Sequence, residues 1–276
     1  MSAKEGADLF LSKNVKIMFL VMVMVMALSL TAILFILAPR CSNCKRKFCF
    51  GTCTIVYDVD DPKTVRPNLP KTNQTTTRLA ETERVDESYL DQIYFIGDSR
   101  TVALQLYGIK RDHIFAEEGL NHETARTKEI VEMDGQALVT ISEAVRITAP
   151  DIMIVNFGVN GAAWMSVEEL LEGYALLIDD LLESSPNSIL IIEAVLPVSS
   201  YYEQESGCSN EKLDEINDGL YALARERGLF YLASNEPLKN EENDLIPRYS
   251  GDGLHYNEAA YEILLEYILN HAIIKK

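Results

Sequence analysis

The sequence predicts an α/β domain in which a five-stranded parallel sheet is covered by helices on both faces. Short apolar runs with few charges alternate with amphipathic helical segments through the C-terminal two thirds of the chain. Strands that are buried on both faces have such compositions, and alternation of strand and helix is typical of parallel sheets. The predicted architecture is a three-layer α/β/α sandwich, preceded by one transmembrane helix.

Five apolar runs have the length of a strand. They lie at 93–96, 113–116, 152–157, 189–195 and 229–232. Three helices are predicted where apolar residues recur every three or four positions, at 167–182, 213–223 and 260–268. Asn257 stands just before the last of these helices and is predicted to cap it.

Residues 17–38 form an uncharged, strongly apolar stretch of 22 residues. As a helix it would be about 33 Å long, at roughly 1.5 Å per residue, and a bilayer core is about 30 Å thick. No small-residue cleavage site follows it, so we expect a retained membrane anchor, with a signal peptide as the alternative. Basic residues flank both ends, and their slight bias favours a cytoplasmic C-terminal side.

The remaining organisation follows from composition. Residues 1–16 form an N-terminal segment, 39–57 a basic Cys-rich juxtamembrane segment, 58–85 a polar flexible linker, and 86–276 the compact domain. Four cysteines of the juxtamembrane segment are compatible with a small zinc site, with two disulfides or with acylated thiols. These are Cys41, Cys44, Cys49 and Cys53. Cys208 stands alone in the domain, and we expect no special role for it.

Charge is distributed unevenly along the chain. Residues 1–85 carry 12 Lys and Arg against 7 Asp and Glu, whereas residues 86–276 carry 13 against 35. So negative a domain is not expected to bind nucleic acid or to dock on anionic lipid headgroups. It suits a neutral or cationic substrate, although an acidic surface that aids solubility explains the charge equally well.

Polar residues follow several of the predicted strands. Ser99 comes directly after the first strand, Gly119 after the second and Asn160 after the third, while Asp252 and His255 precede the last helix. A serine hydroxyl is a poor nucleophile until a base takes its proton, and an Asp-x-x-His segment can supply a base and an orienting acid. Each segment alone could equally be a turn or a helix cap. Together, at the carboxyl ends of parallel strands, they predict a site.

These segments resemble the SGNH (GDSL-like) hydrolase superfamily over residues 90–272. The resemblance implies that Ser99 is the nucleophile, that His255 is the general base and then acid, and that Asp252 orients the histidine. It also implies that the oxyanion receives hydrogen bonds from the backbone N–H groups of Ser99 and Gly119 and from the Asn160 amide. No metal or organic cofactor is implied.

The sequence departs from the family pattern at two positions. Gly161 stands where most members have an aspartate, and Arg100 stands where the eponymous motif has a leucine. The first departure leaves open how firmly the loop that carries Asn160 is held.

The resemblance implies a flavodoxin-like fold and a serine esterase that hydrolyses a carboxylic ester through an acyl-serine intermediate. The apolar segment 17–38 adds the expectation that this esterase is anchored in a membrane. For an outward-facing domain, it suggests O-acetyl groups on cell-envelope glycans as substrate. A lipase or thioesterase and a non-catalytic glycan-binding module on the same fold are the alternatives.

The aromatic residues near the predicted site each allow a functional and a structural interpretation. Trp164 could line a substrate pocket or pack in the core, and the Tyr201–Tyr202 segment could be a lid or a surface loop. Of the remaining histidines of the domain, His113 and His122 are expected to be structural, and His271 is expected to lie at a frayed C-terminus.

Overall fold

The computed structural model describes residues 71–133, 135 and 137–276. Seven strands lie within these residues: β1 Ile93–Gly97, β2 Ile114–Ala116, β3 Glu129–Met133, β4 Ala137–Thr140, β5 Ile152–Asn156, β6 Ile189–Glu193 and β7 Phe230–Leu232. Five of them form one parallel sheet in the order β2-β1-β5-β6-β7. The predicted α/β fold with a five-stranded parallel sheet is therefore confirmed, and its strand order is that of the flavodoxin-like sheets.

Seven α-helices accompany the strands in the described part of the chain. They are α1 Ser99–Val102, α2 Ile141–Thr148, α3 Val159–Ala162, α4 Val167–Ser184, α5 Ser200–Ser206, α6 Asn210–Glu226 and α7 Glu258–Leu269. The three helices predicted from periodicity correspond to α4, α6 and α7. Asn257 caps α7 as predicted, since its side chain accepts a hydrogen bond from the backbone N–H of Ala260.

The sheet separates two hydrophobic cores, because neighbouring residues of a strand point to opposite faces. On β1, Ile96 packs into the core that also contains residues of α2, α4 and α6. Phe95, its neighbour, packs into the other core together with residues of α7. The molecule thus has helices on both faces of the sheet.

The sheet order reverses beside β1, and this places three predicted site segments at one edge. β1 pairs with β2 on one side and with β5 on the other. The chain segments that follow these three strands carry Ser99, Gly119 and Asn160 respectively. Ligands of open α/β sheets bind at the carboxyl ends of the strands, at such a reversal.

The structure differs from the sequence prediction for residues 71–85, which we expected to belong to a flexible linker. This segment, here called the strap, runs along the domain and makes main-chain hydrogen bonds to it. The Leu79 N–H donates to the Tyr231 carbonyl of β7 at 2.9 Å, and the Asn73 N–H donates to the Ile274 carbonyl at 3.0 Å. Leu79 is 4% exposed. The few apolar residues of the strap follow neither a helical nor a strand period, so the sequence pattern does not reveal that Leu79 is buried against the domain.

A second difference is an antiparallel hairpin, β3–β4, that the sequence analysis did not predict. Most of its residues are exposed or half-buried. Such strands lack the continuous apolar run that marks the strands of the central sheet.

The predicted transmembrane segment 17–38, the cysteine cluster and residues 58–70 of the predicted linker lie outside the described residues. Among residues 71–133, 135 and 137–276, no helix is both long enough and apolar enough to cross a bilayer.

Candidate active site

Ser99 is held at the carboxyl end of β1 by a short helical turn. Asp98 is fully buried and caps α1, because its Oδ1 accepts a hydrogen bond of 3.0 Å from the Arg100 N–H. Burial raises the pKa of the Asp98 carboxyl, and the nearby Arg100 guanidinium opposes that shift. Ser99 is the first residue of α1, a position at which the backbone N–H has no acceptor within the helix.

The Asp252–His255 loop is organised by the carboxylate of Asp252. Its Oδ1 accepts hydrogen bonds from the backbone N–H groups of Leu254 and His255, at 2.9 and 2.7 Å. Its Oδ2 lies 2.7 Å from the His255 Nδ1. Gly253, between them, has a φ of +82°, which L side chains rarely adopt, and an added Cβ there would lie 2.0 Å from the Ser199 Oγ. One carboxylate therefore shapes the turn and orients the imidazole.

The candidate nucleophile and the candidate base lie within hydrogen-bond distance of each other. The Ser99 Oγ lies 3.2 Å from the His255 Nε2, although 156 residues separate them in the chain. Because the His255 Nδ1 faces the Asp252 carboxylate, the tautomer that satisfies both contacts has its proton on Nδ1. The Nε2 is then left to accept a proton from the serine.

The electrostatics of Asp252 favour this arrangement. Partial burial acts to raise the pKa of its carboxyl, but hydrogen bonds from the His255 ring and from two backbone N–H groups outweigh burial. The pKa of Asp252 is therefore well below its usual value. A carboxylate that stays ionised beside Nδ1 stabilises the imidazolium that forms when His255 takes a proton.

Asn160 links the residue before Ser99 to the residue after Gly119. The Asn160 Nδ2 donates to the Leu120 carbonyl at 2.9 Å and lies 3.4 Å from the Asp98 Oδ2. Gly119, directly before Leu120, is exposed and has a φ of +73°. The structure thus brings the five predicted site residues to one edge of the sheet. It also gives the Asn160 amide two acceptors that the sequence did not indicate.

Arg100 is a buried residue of this region that the sequence analysis noted only as a departure from a motif. Its side chain is 3% exposed, and its guanidinium donates hydrogen bonds to main-chain carbonyls. The only signal in the sequence is the position itself, directly after the candidate nucleophile.

The other residues that the sequence singled out surround the site or lie far from it. Trp164 is 64% exposed, and its Nε1–H donates to the Asn160 carbonyl at 3.0 Å, so it stands at the rim of the site. Tyr201 and Tyr202 belong to α5, and the Ser199 N–H before this helix donates to the Gly253 carbonyl. Helix α5 therefore borders the Asp252–His255 loop.

The remaining histidines make no contact with the triad in the structure. His113 stacks on Tyr94, and His271 stacks on Tyr267. His122 is fully buried, and both of its ring nitrogens lack a hydrogen-bond partner. In the part of the chain that the structure describes, no three His, Cys, Asp or Glu side chains are grouped so as to hold a metal ion.

Several solved structures resemble the chain. A protein described as a platelet activating factor from Streptococcus pneumonia is 23% identical, with a TM-score of 0.51 over 64% of this chain and 81% of that one. A lipase/acylhydrolase from Enterococcus faecalis is 18% identical, with a TM-score of 0.49 over 67% and 97%. A carbohydrate esterase family 3 protein from Talaromyces cellulolyticus is 13% identical, with a TM-score of 0.45 over 64% and 93%. At these identities the first likeness concerns the fold alone.

No curated protein matches the chain. The sequence model of the GDSL-like lipase/acylhydrolase family, in contrast, matches residues 95–263, which include every predicted site residue. With the fold and this match taken together, the chain belongs to the GDSL-like lipase/acylhydrolase family and is an SGNH-type hydrolase.

Proposed function

We propose that the chain is a serine esterase that cleaves a carboxylic ester through an acyl-serine intermediate. The observation that carries this proposal is the continuous contact from the Ser99 Oγ through the His255 ring to the Asp252 carboxylate, with distances of 3.2 and 2.7 Å. In the first step the His255 Nε2 takes the hydroxyl proton while the Ser99 Oγ attacks the ester carbonyl carbon. When the tetrahedral intermediate collapses, the Nε2–H donates that proton to the departing alcohol. Water, deprotonated by the same Nε2, then hydrolyses the acyl-serine.

The negative oxygen of the intermediate needs donors on the side of the site away from His255. The backbone N–H groups of Ser99 and Gly119 and the Asn160 amide are the candidates. Of the two contacts that the amide makes, the one to the Asp98 Oδ2 is the longer, at 3.4 Å, and is the one an oxyanion would replace. One such donor is worth about 3 kcal/mol in the transition state.

For the substrate, we propose O-acetyl groups on glycans of the cell envelope. The side chains of His255 and Asp252 are 53% and 57% exposed, so a bulky polymer can reach the triad. The exposed indole of Trp164 at the rim offers a flat apolar face of the kind on which a sugar ring can stack. A long acyl chain, in contrast, needs an apolar channel that buries most of its length.

We further propose that residues 17–38 anchor the protein in the membrane and that the catalytic domain faces outward. The length and composition of the apolar segment support the anchor. A substrate in the cell envelope requires the outward orientation, against the slight charge bias of the flanking residues.

The test of the activity uses the full-length protein in membranes and a fluorophosphonate, which forms a covalent bond to an activated serine Oγ. We expect the wild type to be labelled and to hydrolyse p-nitrophenyl acetate, and Ser99→Ala to lose both properties. Ser206→Ala is the matched control, because the Ser206 Oγ bonds only within and just after α5, to the Tyr202 carbonyl and the Cys208 N–H. It should behave as the wild type.

A wild type that takes no label and cleaves no ester would contradict the proposal, and glycan binding by that unlabelled protein would favour the binding-module alternative. For an active wild type, acetylated glycans are compared with esters and thioesters of longer acyl chains. Higher kcat/KM for the long-chain compounds would replace the glycan substrate with a lipid or thioester.

A further inference from the structure

Arg100 joins the chain segment of the nucleophile to the chain segment of the base. Its Nε donates a hydrogen bond of 3.1 Å to the carbonyl of Leu254, the residue directly before His255. Its two terminal nitrogens donate to the carbonyls of Leu196 and Pro197, in the segment after β6, at 2.8 and 3.2 Å. Three elements that are distant in sequence therefore meet at one guanidinium.

The chemistry of the side chain suits this position. A guanidinium presents five N–H donors in a rigid planar fork, so it can bind three carbonyls at once, whereas a lysine ammonium is a flexible point charge and a leucine has no donor. The guanidinium also lies over the ring of Tyr256, with its carbon 4.8 Å from the ring centroid. The carbonyls of Leu196 and Pro197, whose bonds to Arg100 are buried, would lose this donor if the guanidinium were removed.

The carbonyls that Arg100 binds show that it can affect the Ser99–His255 distance but not the Asp252–His255 distance. The Asp252–His255 contact lies within one turn and is set by that turn. The Ser99–His255 contact joins two segments, and Arg100 is adjacent in sequence to Ser99 and bonded to the residue adjacent to His255. We propose that Arg100 is a positioning residue that sets the distance between the Ser99 Oγ and the His255 Nε2. This proposal rests on the esterase function proposed above.

The experiment measures kcat and KM of Arg100→Leu and Arg100→Lys for an aryl acetate, well below the unfolding temperature of each variant. A displacement of about 1 Å between reacting groups costs on the order of 10²-fold in rate. We therefore expect kcat to fall about 10²-fold in Arg100→Leu, with KM changed by less than about threefold. The fall should be smaller in Arg100→Lys. Methylguanidinium added to Arg100→Ala should restore part of kcat.

Two further readouts separate positioning from general destabilisation. The low-field proton NMR resonance of the His255 Nδ1–H should persist in the Arg100 variants, because its partner Asp252 lies in the same turn. Asn217→Ala is the matched control, since Asn217 bonds both backbone groups of Val195 and so anchors the segment after β6 without touching the histidine loop. It should lower the unfolding temperature and leave kcat within about twofold of the wild type.

The outcomes distinguish this proposal from the proposed function. An inactive wild type contradicts the esterase itself. Suppose that the wild type is active and that the Arg100 variants keep kcat, or lose kcat only as much as Asn217→Ala does. Arg100 is then not a positioning residue. If Arg100→Leu does not fold, Arg100→Lys decides the question by the same comparison.

Discussion

His122 is a polar ring buried without partners, two residues after Leu120. The imidazole fits because Gly173 faces it: a Cβ on Gly173 would lie 2.7 Å from the His122 Nε2, closer than van der Waals contact allows. Gly161, the position at which the resemblance implies an aspartate, borders the same ring, but a Cβ there would meet it at an ordinary contact distance of 3.5 Å and would come closer to the Met165 Sδ, at 2.9 Å. Burial lowers the pKa of His122 to about 4.

The lowered pKa makes a prediction about acid stability. The unfolded chain takes up a proton on His122 near pH 6.5 and the folded chain near pH 4, so the free energy of unfolding falls as the pH drops between these values. The full effect is about 3 kcal/mol, reached below pH 4. We expect His122→Leu to lack this loss and to be the more stable protein at pH 4.

Urea unfolding followed by the fluorescence of Trp164, the single tryptophan of the chain, measures the difference at pH 7 and at pH 4. Equal pH dependence in the wild type and in His122→Leu would show that the buried imidazole does not carry the acid sensitivity.

At the scale of residues, the sequence indicated the groups that react but not the groups that hold them. Ser99, Asn160 and His255 stand at strand or helix ends, which a linear pattern locates. Arg100 and His122 are single polar residues whose burial depends on contacts with segments far away in the chain. No local pattern carries that information.

The strap belongs to the folded domain, whereas the sequence predicts a flexible linker for it. The carbonyl of Thr77 accepts a hydrogen bond from the Tyr231 N–H of β7, so the strap extends the sheet beyond its last strand. Near the C-terminus the Lys276 N–H donates to the Lys71 carbonyl. The strap therefore covers an edge strand that would otherwise expose unpaired backbone groups.

If the strap is part of the folded domain, Leu79→Ala should destabilise it. Truncation of a buried leucine costs about 2–5 kcal/mol, and a leucine in a flexible linker would cost nothing. The loss is measured as a lower urea midpoint of activity. Leu106→Ala is the matched control, because Leu106 is 74% exposed and its truncation should change stability by less than about 0.5 kcal/mol. Equal midpoints for the two variants would restore the linker interpretation.

Among the elements, the central strands and the long helices were predictable because each satisfies one simple rule. A strand buried on both faces is a continuous apolar run, and α4 and α6 show helical periodicity over four turns or more. The hairpin β3–β4 satisfies neither rule, since charged Glu129 and Glu132 lie within it. Its pairing follows from tertiary packing, which the sequence pattern does not contain.

At the scale of the whole molecule, the position of the site followed from topology rather than from any single motif. Parallel strands end at the same edge of a sheet, so residues that follow β1, β2 and β5 had to lie together once the strand order was correct. The resemblance implied a five-stranded parallel sheet of the flavodoxin-like type, and the order β2-β1-β5-β6-β7 is of that type.

The proposed orientation makes a prediction for intact cells. An epitope tag placed after Lys276, which is exposed, should be reached by an antibody and removed by added protease without lysis. A tag placed before residue 1 of the same protein is the matched control and should stay protected until the cells are lysed. The opposite pattern would place the catalytic domain inside and exclude envelope glycans as its substrate.

The spacing of the triad has a consequence for how the protein becomes active. Asp252 and His255 are three residues apart and form one turn, whereas Ser99 and His255 are separated by 156 residues. Contacts of such long sequence separation form late in folding, because a long loop must close first. A chain that stops short of His255 therefore has Ser99 and all five strands of the sheet but lacks the candidate base. Activity requires that the segment after β7 folds back to the turn after β1, so both ends of the domain must be in place before the site exists.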